Sequence, residues 1–112
     1  RGGYPIRIVG DKESTIQVDG VRALHAAEAD AVTEALAAAD IAATAVGAAV
    51  LPKIAPVIAA GIAKRLDADP DRPLNIILCE NLLHAAEAFA SMLEAAMPER
   101  WRGRWRGRIG LV

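Results

Sequence analysis

Ile41-Ala42-Ala43-Thr44-Ala45-Val46-Gly47, closely followed by Leu51-Pro52-Lys53-Ile54-Ala55-Pro56, is the stretch on which the fold turns. From Ile41 to Val46 every residue is apolar except Thr44, with Asp40 before and Gly47 after. A short apolar run bounded in this way fits a strand covered on both faces, and so an interior strand of a parallel sheet. Beyond it Leu51, Ile54, Ile58, Ile62 and Leu66 recur at helical spacing while Lys53, Lys64 and Arg65 fall off that stripe, so a helix packs back on the sheet. A start near Lys53 accommodates both prolines, because the first turn of a helix has backbone N–H groups with no internal partner to lose.

Outward from this unit the pattern repeats. Asp67 to Pro73 is a polar connection, and Leu74 to Cys79 is a second buried-strand run with Cys79 as its last buried residue. Glu80-Asn81 ends that strand. Leu82, Ala86, Phe89, Leu93 and Met97 then form another helical stripe, closed by Pro98, and Ile109 to Val112 reads as the next strand. On the other side, Ile6 to Val9 and Ser14 to Asp19 alternate apolar and polar residues around Gly10-Asp11, a short β-ribbon. His25 to Ala39 reads as a short amphipathic helix capped by Asp30, with Val32, Leu36 and Ala39 on one face. Strands alternating with helices imply βαβ units with right-handed crossovers, hence an α/β fold with a parallel, doubly wound sheet. Ligands of such sheets bind outside the carboxyl ends of the strands, which singles out the turn after Val46 and the turn after Cys79.

Composition excludes several classes. The 112 residues allow one core, and 54% hydrophobic with 24% charged residues describes a chain able to offset its ordering entropy. A formal net charge of −1 gives no electrostatic pull toward nucleic acid or an anionic membrane. The lone cysteine, Cys79, cannot form an internal disulfide, and no secretory signal pattern is present, which favours a reducing, cytoplasmic setting. Charged residues interrupt every apolar run well short of the ~18 residues of a membrane span. Opening at Arg1 without Met and closing on the start of a strand, the sequence reads as a piece of a longer chain.

Thr44-Ala45-Val46-Gly47, the Leu51–Pro56 flank and Leu74-Asn75-Ile76-Ile77-Leu78-Cys79-Glu80-Asn81 together resemble the polyol-specific long-chain dehydrogenases of the mannitol dehydrogenase family. The likeness runs from about Asp40 to Leu83, and more loosely over Tyr4 to Val9 and Ile109 to Val112. Each motif alone is weak; their order, spacing and flanks carry the specificity. In that family an Ala-Val-Gly turn and a Cys-Glu-Asn turn close the fourth and fifth strands of an NAD-binding domain. The resemblance thus implies the second half of a Rossmann-like domain, residues 1–112, lacking the first βαβ unit and the C-terminal catalytic domain. It also implies a parent enzyme that oxidises a sugar-alcohol phosphate by hydride transfer to NAD, converting mannitol 1-phosphate to fructose 6-phosphate. Glu80 favours this phosphate-using branch, since a sister group of mannitol 2-dehydrogenase and fructuronate reductase type more often carries Cys-Asp-Asn.

The resemblance also distributes roles. Ala45, Val46 and Gly47 would bind the nicotinamide side of the cofactor; Gly47, without a side chain, permits both a tight turn and close approach of a flat ring, although any strand-to-helix turn can use glycine. Asn81 would reach the reacting oxygen of the substrate with its amide, though Asn is equally a good helix cap and here precedes the expected helix at Leu82. His84 is either a second residue of the crevice or an exposed helix residue. Cys79, His25 and His84 lie too far apart in sequence for a tetrahedral zinc set, so no metal is expected. The family's Lys base, with its assisting Asn and His, follows the sixth strand, and Gly-x-Gly-x-x-Gly precedes this half; neither occurs in the chain. Two readings from other classes stand beside this one. The first is a non-catalytic Rossmann-like module. The second is single-stranded nucleic-acid binding by Arg100-Trp101-Arg102-Gly103-Arg104-Trp105-Arg106-Gly107-Arg108, against a solvated loop or a contact to the rest of the parent chain.

Overall fold

The computed structural model describes residues 2–112. Two strands, β1 (Gly3–Ile8) and β2 (Ser14–Asp19), form an antiparallel ribbon in which Ile6 pairs with Ile16 and Tyr4 with Val18. Alternation sets this pairing, and the Val21 N–H donates to the Gly2 carbonyl at 2.9 Å to close the open end. No ribbon residue belongs to the core.

The remaining elements follow the expected α/β order: α1 (Ala29–Ala38), β3 (Ile41–Thr44), α2 (Leu51–Ala68), β4 (Leu74–Leu78), α3 (Ala85–Ala96) and β5 (Ile109–Leu111). The three strands lie parallel in the order β3-β4-β5, with Thr44 opposite Leu78 and Asn75 opposite both Ile41 and Gly110. One contiguous core joins Leu74, Ile76 and Ile109 of the sheet to Leu51, Ile62 and Leu66 of α2 and to Phe89 and Leu93 of α3. Alternate sheet residues Ile41, Ala43, Asn75 and Ile77 face away from it and are exposed. The strand expected to be interior is therefore an edge strand with one bare face: helices cover only the face carrying Ala42 and Thr44, and Ile41 on the other is 61% exposed.

Local corrections have identifiable causes. Helix α1 starts four residues later than read, at Ala29 rather than His25, because residues 25–28 form a turn in which the Glu28 N–H donates to the His25 carbonyl at 2.9 Å and the Ala27 N–H to His25 Nδ1 at 3.0 Å. Asp30 then lies inside the first turn and does not cap; there it still suits the positive end of the helix. Helix α2 starts at Leu51, so Pro52 occupies the tolerant first turn but Pro56 is interior and removes one rung of the ladder. Pro56 and Pro52, the residue whose carbonyl loses that rung, are both exposed.

Arg65, which the stripe had left on the outer surface, is 2% exposed. Its guanidinium donates to four carbonyls: Ala37 at 3.0 Å, Ala39 at 2.6 Å, Pro73 at 2.8 Å and Arg72 at 3.3 Å. The last turn of α1 and the approach to β4 leave these acceptors without ladder partners, and a planar fork with five donors serves several at once. Burial, and then the neighbouring positive charge of Arg72, push the Arg65 pKa below its ordinary value. One turn earlier, Gly61 meets Leu36 of α1 so closely that a Cβ there would stand 2.5 Å from Leu36 Cδ2.

The Arg/Trp run folds into consecutive turns against the body. Trp105 is fully buried and its indole N–H donates to Glu94 at 2.5 Å; Arg106 stacks 5.9 Å above the ring. Asp67 receives Arg100 at 2.6 and 3.0 Å and the indole N–H of Trp101 at 2.7 Å. The arginines and glycines of the run are exposed, as a solvated loop requires, and only the tryptophans turn inward. The tryptophans close the core beneath α3 and tie the end of α2, and Trp105 has no face left for stacking a base.

Candidate functional site

Both turns singled out by sequence emerge at the same edge of the sheet, because β3 and β4 are parallel neighbours and end in register at Thr44 and Leu78. The Cys79 N–H continues the ladder by donating to the Thr44 carbonyl at 2.9 Å. Past that rung no backbone hydrogen bond joins the two segments among the described residues, and a side chain bridges them. Glu80 accepts the Thr44 hydroxyl at 2.5 Å on one carboxylate oxygen and the Val46 N–H at 2.8 Å on the other. The Thr44 hydroxyl, with help from the backbone N–H groups of Val46 and Gly47, holds the Glu80 carboxyl below its ordinary pKa against a smaller opposing effect of desolvation. Thr44 points into the molecule and is buried; Ala45, Val46 and Gly47 lie exposed on the rim.

Gly47 adopts φ 87°, a left-handed conformation that favours glycine, and apart from Gly47 and its two chain neighbours no atom of the described residues lies within 4 Å of the position its Cβ would take. Its carbonyl accepts the Val50 N–H at 3.1 Å, which turns the chain directly into α2. The tight turn and open approach expected of Gly47 are both present, and a flat ligand group can come against the backbone there. A strand end, an exposed glycine turn and the N-terminus of α2 thus lie together at the carboxyl edge of the sheet, an arrangement with room for a flat ligand group against the backbone.

Asn81 is exposed on the second turn and does not cap a helix. Helix α3 begins at Ala85, and His84, with φ 55°, occupies the cap position in a left-handed conformation. Residues 79–84 form an open connection, with the Leu82 N–H bonded back to the Glu80 carbonyl at 3.0 Å. The amide of Asn81 makes no hydrogen bond among the described residues and stays available to a ligand. His84 is likewise exposed, at the head of the helix rather than within its first turn. Cys79 is exposed, not the last buried residue of its strand, because alternation puts it with Asn75 and Ile77 on the face that the helices leave uncovered. Val46 and Glu80 are brought into contact, whereas Asn81 makes no hydrogen bond to the 45–47 turn among the described residues.

Sequence reading passed over the part played by Glu80. The signal was available: Thr44 is the one polar residue in an apolar strand, and a carboxylate follows the paired strand in register. A small cavity of about 190 Å³ lies elsewhere, lined by Ala86, Glu87, Trp105, Arg106, Ile109 and Leu111, and includes none of the residues of the two turns. Among the described residues, no helix is long and apolar enough to cross a membrane.

Comparison with known proteins agrees with this architecture. The family model described as the mannitol dehydrogenase Rossmann domain matches residues 1–108. Mannitol-1-phosphate 5-dehydrogenase of Geobacillus thermodenitrificans (strain NG80-2) is 41% identical over 103 residues, covering 91% of this chain. The chain spans 26% of the length of that relative. Rossmann domains bind a nucleotide cofactor at the carboxyl edge of the sheet, the edge at which both turns lie. The chain belongs to the mannitol dehydrogenase Rossmann domain family.

Proposed function

We propose that this chain is the nicotinamide-side half of the cofactor domain of an NAD-dependent polyol-phosphate dehydrogenase, a cytoplasmic enzyme that interconverts mannitol 1-phosphate and fructose 6-phosphate. The observation that carries the reading is the pair of family turns, 45–47 and 80–81, closing neighbouring parallel strands at one edge of the sheet. The name of the 41% identical relative supports the choice of substrate. On this reading residues 1–112 are a partial domain, and the first βαβ unit and the catalytic domain belong to the rest of the parent chain.

Each residue then has a chemical task. Ala45, Val46 and Gly47 form a backbone ledge for the nicotinamide riboside, with Gly47 leaving room for close approach. Asn81 donates its amide N–H to the reacting oxygen of the substrate and steadies the charge that develops there. The redox chemistry is supplied by bound NAD, whose nicotinamide ring takes the hydride from the carbinol carbon.

The test is expression of the full reading frame containing this chain, followed by NADH formation with mannitol 1-phosphate, mannitol and mannonate in parallel, each with NAD and with NADP. NAD reduction fastest with the phosphorylated polyol is the expected result. Faster turnover of mannitol or mannonate would transfer the protein to the sister group, and no reduction with any of them would defeat the dehydrogenase reading.

A further inference from the structure

We infer that Glu80 is a positioning residue for hydride transfer: its carboxylate fixes the turn at 45–47 relative to the adjacent Asn81, and so sets cofactor and substrate oxygen in one frame. The inference rests on the function proposed above. It starts from what else could hold the two turns. The last backbone rung between them is Cys79 N–H to the Thr44 carbonyl, and beyond it no backbone hydrogen bond joins segment 45–50 to segment 80–84 among the described residues. Glu80 spans the gap by using its two oxygens on two different donors, the Thr44 hydroxyl and the Val46 N–H. The donors differ in kind: one is a buried side chain on the strand, the other is backbone within the ledge. The carboxylate therefore ties the ledge to the rigid sheet and to Asn81 at the same time.

The chemistry specifies glutamate. Both donors need an acceptor, and a carboxylate offers two acceptor oxygens, whereas the amide of glutamine offers one and turns a donor toward the other partner. Aspartate keeps the charge but is one methylene shorter, so it cannot be expected to reach both donors from the same backbone position. Because Glu80 is on the rim, its loss removes little from the core, and its effect should fall on geometry rather than on folding.

The experiment uses the full-length enzyme. E80Q is expected to lower kcat about tenfold, within the range that small misplacements of reacting groups cost, while the KM for substrate stays within about twofold, as for an interaction felt in the transition state. E80D should restore less than half of the loss. The discriminating measurement is a double-mutant cycle with N81A: if Glu80 acts by placing Asn81 against the cofactor, E80Q in the N81A background costs far less than in the wild type. Melting temperature and the amide exchange of Val46 and Gly47 are followed in parallel. Faster exchange confined to these amides, with the melting temperature held, accompanies the expected result. Unchanged kcat in E80Q, or an equal loss with and without Asn81, overturns the inference. If the wild-type enzyme reduces no dinucleotide with any polyol, the function itself has failed, and a faster-exchanging Val46 amide in E80Q would then mark Glu80 as a purely structural clamp.

Discussion

At the scale of single residues, two charged side chains matter because of the acceptors and donors they satisfy. Arg65 gathers carbonyls from α1 and from the approach to β4 inside the protein. Arg65→Met keeps much of the volume but leaves those carbonyls without donors, and hydrogen bonds to a charged group each contribute about 1.5–3 kcal/mol. A loss of about 2–4 kcal/mol is expected, a large part of the stability of a small domain. A urea titration should show a lower midpoint at unchanged slope; a midpoint equal to that of the wild type would mean that water satisfies the carbonyls. Glu80 gives a prediction in pH. Its folded pKa lies below the ordinary value of 4.5, so the stabilisation is present above 4.5 and is lost as pH falls through the depressed folded value. The Val46 amide resonance should accordingly titrate with a midpoint below 4.5, and a midpoint at or above 4.5 would contradict the hydrogen bonds drawn to Glu80.

At the scale of elements, helix α2 is shaped by two neighbours at once. Its apolar stripe meets the sheet, and Gly61 and Arg65, spaced i and i+4, meet α1 on a second face. At Gly61 the obstacle is not only the flexible tip of Leu36, since its Cβ would also lie 3.0 Å from the added carbon. Gly61→Ala must therefore push the helices apart, and overpacking of this kind costs about 1–3 kcal/mol. Thermal melting should show the loss, and combining it with Leu36→Ala should cost less than the sum of the two single changes; strict additivity would mean that the helices adjust freely. The same helix shows what was legible from sequence. Helical periodicity marked α2 and α3, and short apolar runs bounded by polar residues marked β4 and β5, because burial leaves these traces in sequence. Arg65 and Gly61 were illegible because a second packing face narrows to two residues, one of them charged. Asp30 and Asn81 suit caps by residue type, but α1 opens one residue before Asp30, which leaves it inside the first turn, and the open connection at 79–84 carries the start of α3 past Asn81. The burial of Trp105 was illegible because composition alone cannot separate an arginine-rich loop from one whose tryptophans fold under a helix.

At the scale of the whole molecule, the distribution of cover decides what the chain can do alone. Helices bury one face of β3-β4-β5, while Ile41, Ala43 and Ile77 on the other stay open, as do Tyr4, Ile6 and Ile16 on the ribbon. The ledge at 45–47 and the turn at 80–81 occupy one edge of the sheet and can address only the end of a dinucleotide that reaches them. A Rossmann site binds its cofactor chiefly through the pyrophosphate, on a glycine-rich turn opening a helix, and through the ribose carboxylate about twenty residues further on. No Gly-x-Gly-x-x-Gly occurs in these 112 residues. On the function proposed above, the chain offers a backbone ledge and one amide, contacts that would orient a ligand whose pyrophosphate is held by the rest of the parent chain. Such contacts contribute little affinity by themselves, because immobilising a ligand costs at least ~4 kcal/mol before any gain appears. The isolated 112-residue chain should therefore fail to quench NADH fluorescence saturably in the micromolar range, while the full reading frame does so, and Gly47→Val in that frame should weaken binding through both the positive φ and the filled approach. Saturable micromolar quenching by the isolated chain would locate the affinity in the ledge itself and overturn the division of labour argued here.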